Sequence, residues 1–447
     1  DDGVVTLHVY EGAIEDGGVE LDARGGDNVQ PETVAAILES TIVTGGVLHR
    51  DEIERAVLLT DDLPGITSHS IIYPGTAVGE ARLRVLTENS SRFTGNIDFD
   101  NFGNYYTGEE RLGATLYWNS PTSKGDQLTL RAVTSGSRSN YLFVDYSVPV
   151  SGSGLRLGAN VDYLDYELSG QFSGSSGDAG SIRLFASYPW KRSRHANHTG
   201  RLEYAYLSLE DDARNGELLS ERRVSTLTAS LNGDMDHDRW ANGITYYDVS
   251  LTAGDVDIRG GDSFIDFDDT FVETAGGFAR ANFQVSRLQH LSGAWSTHAA
   301  LTGQWASGNL DPSQKFFVGG PFTVPGYPTG EASGDHGANL HLDVRYDFAN
   351  VPWGGALQGT VFYSAGWVQL FDEPWNGWEG DNALIENSYT LQSYGLSVSQ
   401  TWSSGMIVRA SVGRQVGSNP GRNPVSGEFA DRSSSSYRAW LQAIYYF

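Results

Sequence analysis

The sequence predicts a mainly β protein, in which a transmembrane antiparallel β-barrel of about 16 strands follows a small N-terminal α+β module. Three observations lead to this prediction. Apolar and polar residues alternate repeatedly from about residue 91 to the C-terminus, turn residues separate the segments, and the connections alternate between short and long. A spanning β-strand needs only about 9 to 11 residues with every second one apolar, so this pattern suffices for a barrel.

Composition excludes several classes of protein. The 447 residues include 30 Lys and Arg against 56 Asp and Glu, which gives a formal charge of −26, and they include no Cys. An acidic chain without a basic segment repels nucleic acid. The lack of Cys excludes disulfides, Cys-bound zinc and thiol nucleophiles. The mean hydropathy of −0.33 and the lack of an apolar run of about 18 residues exclude transmembrane helices.

The N-terminal part is expected to contain a truncated first module over residues 1–12 and a complete module over 13–88. Val34, Ile37 and Leu38 share one face of a predicted helix that begins at Pro31. A second predicted helix places Ile53, Val57 and Leu58 on one face in the same way. Short strands flank the two helices. Residues 4–12 form a further predicted strand with nothing before it to pair with.

The barrel is expected to span residues 89–447, and the segment 340–348 shows its pattern most clearly. Leu342 and Val344 point to one side of this segment, while His341, Asp343 and Arg345 point to the other. Ionisable groups in a row cannot lie unpaired in a dry core, but they fit a hydrated lumen.

The connections indicate which ends of the strands lie on the same side of a membrane. Short connections are predicted around Asp234 to Arg239, at 350–354 and at 403–405, and long ones at 168–179, 210–222, 254–276, 308–338, 370–388 and 417–436. Tyr and Trp gather near many segment ends, as in the aromatic girdles of membrane barrels. A large soluble β-protein is the alternative, but it has no need for this regular alternation of loop length.

One long loop carries the most specific sequence motif. It reads KFFVGGPFTVPGYPTGE from Lys315 to Glu331 and continues with GDHG from Gly334. Weaker matches follow the same order along the chain at 101–108, 111–114, 125–128, 146–150 and 440–447. With these motifs the chain resembles the outer-membrane transporters of bacterial two-partner secretion, which export haemolysins and adhesins and belong to the superfamily of BamA-like barrels.

The resemblance implies a function and a location. Such transporters lie in the outer membrane of Gram-negative bacteria, where periplasmic POTRA modules receive an unfolded exoprotein and pass it through a 16-stranded barrel. Residues 13–88 would then be the second POTRA module, and residues 1–12 the end of the first. The implied partners are a secreted adhesin, haemolysin or toxin, the lipid bilayer with its lipopolysaccharide, and the barrel-assembly machinery. A monomer without cofactor or metal is expected.

The resemblance also implies the site residues. The loop at about 308–338 is expected to fold into the lumen as a plug or gate, through Gly319, Gly320, Val324, Pro325, Gly326 and Tyr327. The facing motif on the barrel wall is Phe362, Ser364 and Gly366, with these three side chains directed inward. An aromatic C-terminus, with Tyr445 and Phe447, matches the signal by which such barrels are inserted.

The motif departs from the family at two positions. Pro325 replaces the usual loop Arg, and Ser364 replaces the usual wall Asp. Loss of only one partner of a buried ion pair costs roughly 3–5 kcal/mol, whereas loss of both leaves no charge unpaired. We therefore interpret the pair as jointly replaced, with the loop held by Tyr327 and by backbone groups.

Other functions remain as alternatives. A BamA-like insertase, or the barrel of a surface esterase whose catalytic domain is fused upstream, would share both parts of the chain. A barrel hydrolase needs a nucleophile with a base in reach, but no G-x-S-x-G or H-E-x-x-H motif occurs, so no enzyme is expected. The acidic stretch 255–269 could offer oxygens to Ca²⁺, but a solvated loop is preferred because the spacing of a Ca²⁺ loop is incomplete.

Restoring the family's ion pair tests its joint replacement. Pro325→Arg alone or Ser364→Asp alone should destabilise the loop, because each buries one unpaired charge, while the double variant should be tolerated. Protease protection of the loop in the folded barrel measures the difference. Equal protection in the single and double variants would contradict the interpretation.

Overall fold

The computed structural model describes residues 12–24, 27–47, 49–237, 242–349, 351–380, 382 and 385–447. The predicted remnant of a first module at 1–12 lies outside these residues except for its last position. The short turns predicted at 234–239 and 350–354 lie partly outside them.

The N-terminal module is a three-stranded sheet covered by two helices. Its elements are β1 (Ala13–Ala23), α1 (Pro31–Thr41), α2 (Arg50–Asp61), β2 (Ile66–Pro74) and β3 (Glu80–Asn89). β3 lies in the centre, parallel to β1 and antiparallel to β2. Val34, Ile37 and Leu38 are buried as predicted. In α2, Ala56 and Leu59 join Ile53 in the core, while Val57 and Leu58 are only half-buried. Within the described residues, no helix combines the length and the apolar character needed to cross a bilayer.

Sixteen antiparallel strands close into a barrel, which confirms the predicted fold class. The strands before the long loop are β4 (Phe93–Asp100), β5 (Arg111–Asn119), β6 (Gln127–Thr134), β7 (Ser139–Pro149), β8 (Arg156–Glu167), β9 (Ser176–Arg192), β10 (Ala196–Asp212), β11 (Leu218–His237), β12 (Gly243–Gly260), β13 (Gly276–Ser292) and β14 (Trp295–Ala306). Two short strands, β15 (Phe316–Val318) and β16 (Ala332–Gly334), pair with each other inside the long loop. The barrel continues with β17 (His336–Phe348), β18 (Ala356–Gln369), β19 (Ser388–Thr401), β20 (Met406–Val416) and β21 (Tyr437–Tyr446), and β21 pairs with β4 to close it.

The two faces of the barrel wall differ as the alternation predicted. Its outer face exposes large apolar side chains, among them Leu142, Ile182, Leu202, Leu251, Val361 and Leu396. Its inner face carries ion pairs, such as Arg131 with Asp98 at 3.1 Å, and the half-buried Arg183 with Asp162. An apolar belt of this size is unfavourable in water and favourable in lipid.

Strands β9 to β12 are longer than the sequence indicated. They contain 17, 17, 20 and 18 residues. Most of the predicted loop at 210–222 is therefore strand, as is the first part of the predicted loop at 254–276. The acidic residues at 255–260 complete β12, and the helix α3 (Asp262–Phe267) follows. Asp268 is buried and accepts hydrogen bonds from the backbone N–H groups of Thr274 and Ala275. The Asp268 carboxylate thus stabilises the connection between β12 and β13.

The N-terminal module contacts the short turns at one end of the barrel. The Arg55 guanidinium donates to the carbonyl oxygens of Ser153 at 3.0 Å and Pro189 at 2.8 Å. The Arg192 guanidinium pairs with both carboxylate oxygens of Asp62, at 2.7 and 2.8 Å. The module therefore lies at the end of the barrel that carries the short turns.

Candidate functional site inside the barrel

The long connection between β14 and β17 folds back into the barrel. Its two legs are β15 and β16, and buried ion pairs hold them near the outer rim. Lys315 Nζ lies 2.8 Å from Asp335 Oδ1. Arg222 donates to Asp311 at 3.1 Å. These four side chains fix the two ends of the connection, so the intervening residues 319–331, here called the lumen loop, reach inward from a rigid base.

Glycines and internal hydrogen bonds shape the lumen loop. Gly319 and Gly320 have φ angles of 105° and 100°. Residues with a Cβ atom rarely adopt these positive backbone angles. The Gly320 N–H donates to the Tyr327 carbonyl at 3.1 Å, and the Tyr327 N–H donates to the Val324 carbonyl at 3.0 Å. The loop therefore closes on itself and presents residues 324–327 to the wall.

An apolar cluster anchors the loop to the wall. Val318, Val324 and Tyr327 are all 0% exposed. They pack with wall and outer-loop residues, which are Val368, Tyr389, Leu391 and Phe429. Full burial of one such side chain contributes roughly 1.5–3 kcal/mol. Val324 and Tyr327 of the loop, together with Val318 at its start, therefore hold the loop mainly by apolar burial.

Wall residues without bulky side chains allow the backbone of the loop to approach closely. A Cβ atom on Gly413 of β20 would lie 2.6 Å from the Pro325 carbonyl carbon, and one on Gly366 of β18 would lie 2.9 Å from Val324 Cγ2. On the loop side, a Cβ atom on Gly326 would lie 2.7 Å from Ser393 Cβ. The close approach of the loop therefore depends on the lack of a side chain at Gly366 and Gly413 of the wall.

Neutral hydrogen bonds complete the contact at the tip of the loop. Trp440 Nε1–H donates to the Pro325 carbonyl oxygen at 2.8 Å, and Gln415 Nε2 donates to the Gly326 carbonyl oxygen at 3.0 Å. Thr329 Oγ1 donates to the Phe102 carbonyl oxygen at 2.9 Å. The loop position that carries Arg in the family is thus held here through its backbone oxygen.

Ser364 lies on the inner wall but does not direct its hydroxyl at the loop. Its side chain is 0% exposed, and its Oγ lies 2.8 Å from His341 Nδ1. Phe362 is also buried, and its ring stacks on His341. Gly366, by contrast, contacts the loop directly. The wall motif is therefore split between the loop contact and a polar cluster on β17.

Glu331 connects the lumen loop to the outer loop between β20 and β21. Its Oε2 accepts a hydrogen bond from the Ala430 N–H at 2.9 Å, and its Oε1 accepts one from Asn419. Burial raises the pKa of Glu331 to about 7, against the effect of these two hydrogen bonds. The nearby Asp431 raises this pKa further and Arg438 lowers it. Near neutral pH the carboxyl group therefore changes its charge.

The C-terminal residues lie at the end of the barrel that faces the N-terminal module. Tyr445 and Phe447 are exposed at 46% and 55%. The Phe447 backbone exchanges hydrogen bonds with Gly95 at 3.0 and 3.1 Å, next to the seam between β21 and β4. Both aromatic rings are available on the outer surface of the barrel.

Sequence reasoning did not identify the wall partners Gly413, Gln415 and Trp440 as site residues. Trp440 carried a signal, because it interrupts the polar face of the last strand with a large aromatic ring. Its 7% exposure and its hydrogen bond to the loop explain that interruption. Gly413 gave no comparable signal, because glycine is common throughout this chain, at 54 residues.

Comparisons with known proteins agree with this architecture. The family model for haemolysin secretion/activation protein ShlB/FhaC/HecB matches residues 79–376. The heme/hemopexin transporter protein HuxB of Haemophilus influenzae is 26% identical over 422 residues, which are 94% of this chain and 73% of that protein.

Solved structures show the same fold. CdiB from Escherichia coli superimposes with a TM-score of 0.76 at 17% identity, over 98% of this chain and 77% of that one. BamA from Haemophilus ducreyi, solved without its POTRA domains 1–3, gives 0.61 at 12% identity, over 97% of this chain and 85% of that one.

The buried carboxyl group of Glu331 predicts a pH dependence of the outer-loop contact. Burial raises the pKa of Glu331 when the loop is closed. The protonated carboxyl group therefore stabilises the closed loop at low pH, and this stabilisation is lost as the pH rises through about 7. Between pH 5 and pH 8, local opening of residues 417–436 should increase by roughly tenfold or more. Amide hydrogen exchange, corrected for the intrinsic effect of pH, measures this opening.

Glu331→Gln is the matched control for this measurement, because it stays neutral at every pH. Its exchange should not show the added pH dependence. An unchanged pH response in this variant would assign the effect to other groups.

Proposed function

Because this chain belongs to the haemolysin secretion/activation family ShlB/FhaC/HecB, it is an outer-membrane transporter of two-partner secretion, and we propose that the lumen loop is its gate. A transporter of this kind moves an exoprotein through its barrel to the cell exterior. The gate has a closed position against the inner wall of β18 to β21. Export then requires the loop to leave this position.

The observation that supports a gate is the neutral character of the loop contact. Tyr327, Val324 and the Pro325 carbonyl hold the loop through apolar burial and hydrogen bonds to neutral groups. Such contacts can be exchanged for contacts with an unfolded chain, which also offers apolar side chains and backbone groups. When the loop moves away from the wall, it therefore leaves no unpaired charge there. An unpaired buried charge would be costly.

The N-terminal module is proposed as the periplasmic POTRA that receives the exoprotein. β2 is an edge strand, with Ile71 and Ile72 about half exposed. A groove lies between this strand and α2, and it is lined by Ile53, Val57 and Leu58 among others. An extended client can add to the edge as a further strand, so that its main chain provides affinity with little dependence on sequence. Folding of the client outside the cell would then drive export.

The relatives suggest a first candidate for the client. The heme/hemopexin transporter protein HuxB is similar over 94% of this chain, so an exoprotein that handles heme or hemopexin is the first to test. During biogenesis, Tyr445 and Phe447 would provide the aromatic signal read by the barrel-assembly machinery. The inserted barrel is proposed to be a monomer whose outer rim contacts lipopolysaccharide.

Deletion of the gene tests this function directly. One large exoprotein should disappear from the medium, while other outer-membrane barrels stay at their normal level. The secreted proteins and the outer-membrane proteins are compared between the parent strain and the deletion strain. This comparison measures the loss and identifies the client. A general loss of barrels without a missing exoprotein would indicate a BamA-like insertase instead.

A disulfide between loop and wall tests the gate. Because the chain has no Cys, the variant Gly326→Cys with Ser393→Cys contains a single pair. The 2.7 Å Cβ separation is within about 1 Å of the separation in a disulfide, so a small shift of the loop allows the bond. Oxidation should abolish secretion, and a reductant should restore it.

Each single Cys variant is a control, because neither can form the bond. Both should secrete equally well under oxidising and reducing conditions. Normal secretion by the fully oxidised double variant would show that the loop does not need to leave the wall.

A further inference from the structure

Two histidines and an aspartate meet on the inner wall, on the two strands that flank the lumen loop. His298 lies on β14, while His341 and Asp343 lie on β17, and His298 is the direct cross-strand partner of Asp343. One ligand atom from each of the three side chains lies within 4.8 Å of the other two. The sequence pattern did not reveal this cluster, because a long loop separates the two strands in the chain.

We propose that these three side chains form a binding site for a divalent transition metal ion, with Zn²⁺ as the representative. Asp343 Oδ2 lies 3.2 Å from His298 Nδ1 and 3.2 Å from His341 Nε2. Around a tetrahedral Zn²⁺ with bonds of about 2.0–2.2 Å, neighbouring ligand atoms are about 3.3 Å apart. Both separations from Asp343 are therefore close to the spacing that such an ion requires, and the two histidine nitrogens lie within 4.8 Å of each other.

Neighbouring groups orient the ligands for this role. Ser364 Oγ lies 2.8 Å from His341 Nδ1, which leaves Nε2 of the same ring for the ion. Ligating histidines usually have such a partner on the second nitrogen. Ser364 provides it without a second negative charge, which gives this departure from the family a chemical role. His341 and Asp343 line a cavity next to Pro325 and Phe362, which offers space for a fourth ligand.

Arg345 provides the competing explanation. Its guanidinium donates to both oxygens of Asp343, at 2.7 and 2.9 Å, so the cluster could serve only as a hydrogen-bonded network. The two explanations differ in the effect of Arg345→Gln. A metal site should bind Zn²⁺ several-fold more tightly once the cation no longer competes for the carboxylate. A network alone should gain no affinity.

The experiment uses the folded full chain in detergent, purified without a histidine tag. Competition with a chromogenic zinc chelator should give one Zn²⁺ per chain, and Co²⁺ should give the visible absorption bands of a four-coordinate site. His298→Gln, His341→Gln and Asp343→Asn should each remove this binding. Ser364→Ala should weaken it by roughly tenfold.

His195→Gln is the matched control, because His195 also lies near a carboxylate, that of Asp236, and among the described side chains this pair belongs to no three-ligand cluster. It should bind Zn²⁺ like the parent chain. Circular dichroism and heat-modified mobility in gels establish that each variant is a folded barrel. Absence of stoichiometric binding in the parent chain and in Arg345→Gln, or binding that persists in all three ligand variants, would overturn the proposal.

Discussion

The bilayer imposes the constraint on which the structure depends, because it offers no hydrogen-bond partner to the backbone. Sixteen strands satisfy one another only if the last pairs with the first, as β21 does with β4. Once the barrel is closed, lipid contacts one face of each strand and the lumen contacts the other. The alternation of apolar and charged residues along β17 follows directly from this arrangement.

A closed barrel of this size would leave an open channel, and the lumen loop occupies part of it. The loop is rigid at its base, where Lys315 and Asp335 form a buried pair, and neutral at its tip, where Trp440 binds the Pro325 carbonyl. Strong contacts thus hold the base in place, while contacts that an unfolded chain can replace hold the tip. This division favours a hinged element over a permanent plug.

The inner wall keeps its charges although the loop lacks the family's Arg. Asp343 is almost fully buried and is surrounded by Arg345 and two histidines on the same patch of wall. Electrostatic stabilisation that the family divides between loop and wall is here contained within the wall. The hydrogen bonds that hold Pro325 and Gly326 come instead from neutral side chains, those of Trp440 and Gln415.

The sequence by itself determined the barrel and the inward direction of Phe362 and Ser364, because alternation is a local property of the chain. The resemblance of one motif to the transporter family indicated which loop enters the lumen. Only the tertiary structure decided which residues hold that loop. Gly413, Gln415 and Trp440 lie about 80 to 110 residues beyond the end of the loop in the chain, and closure of the barrel brings them to it. The same reason applies to His298 and Asp343, since register between strands is a property of the whole sheet.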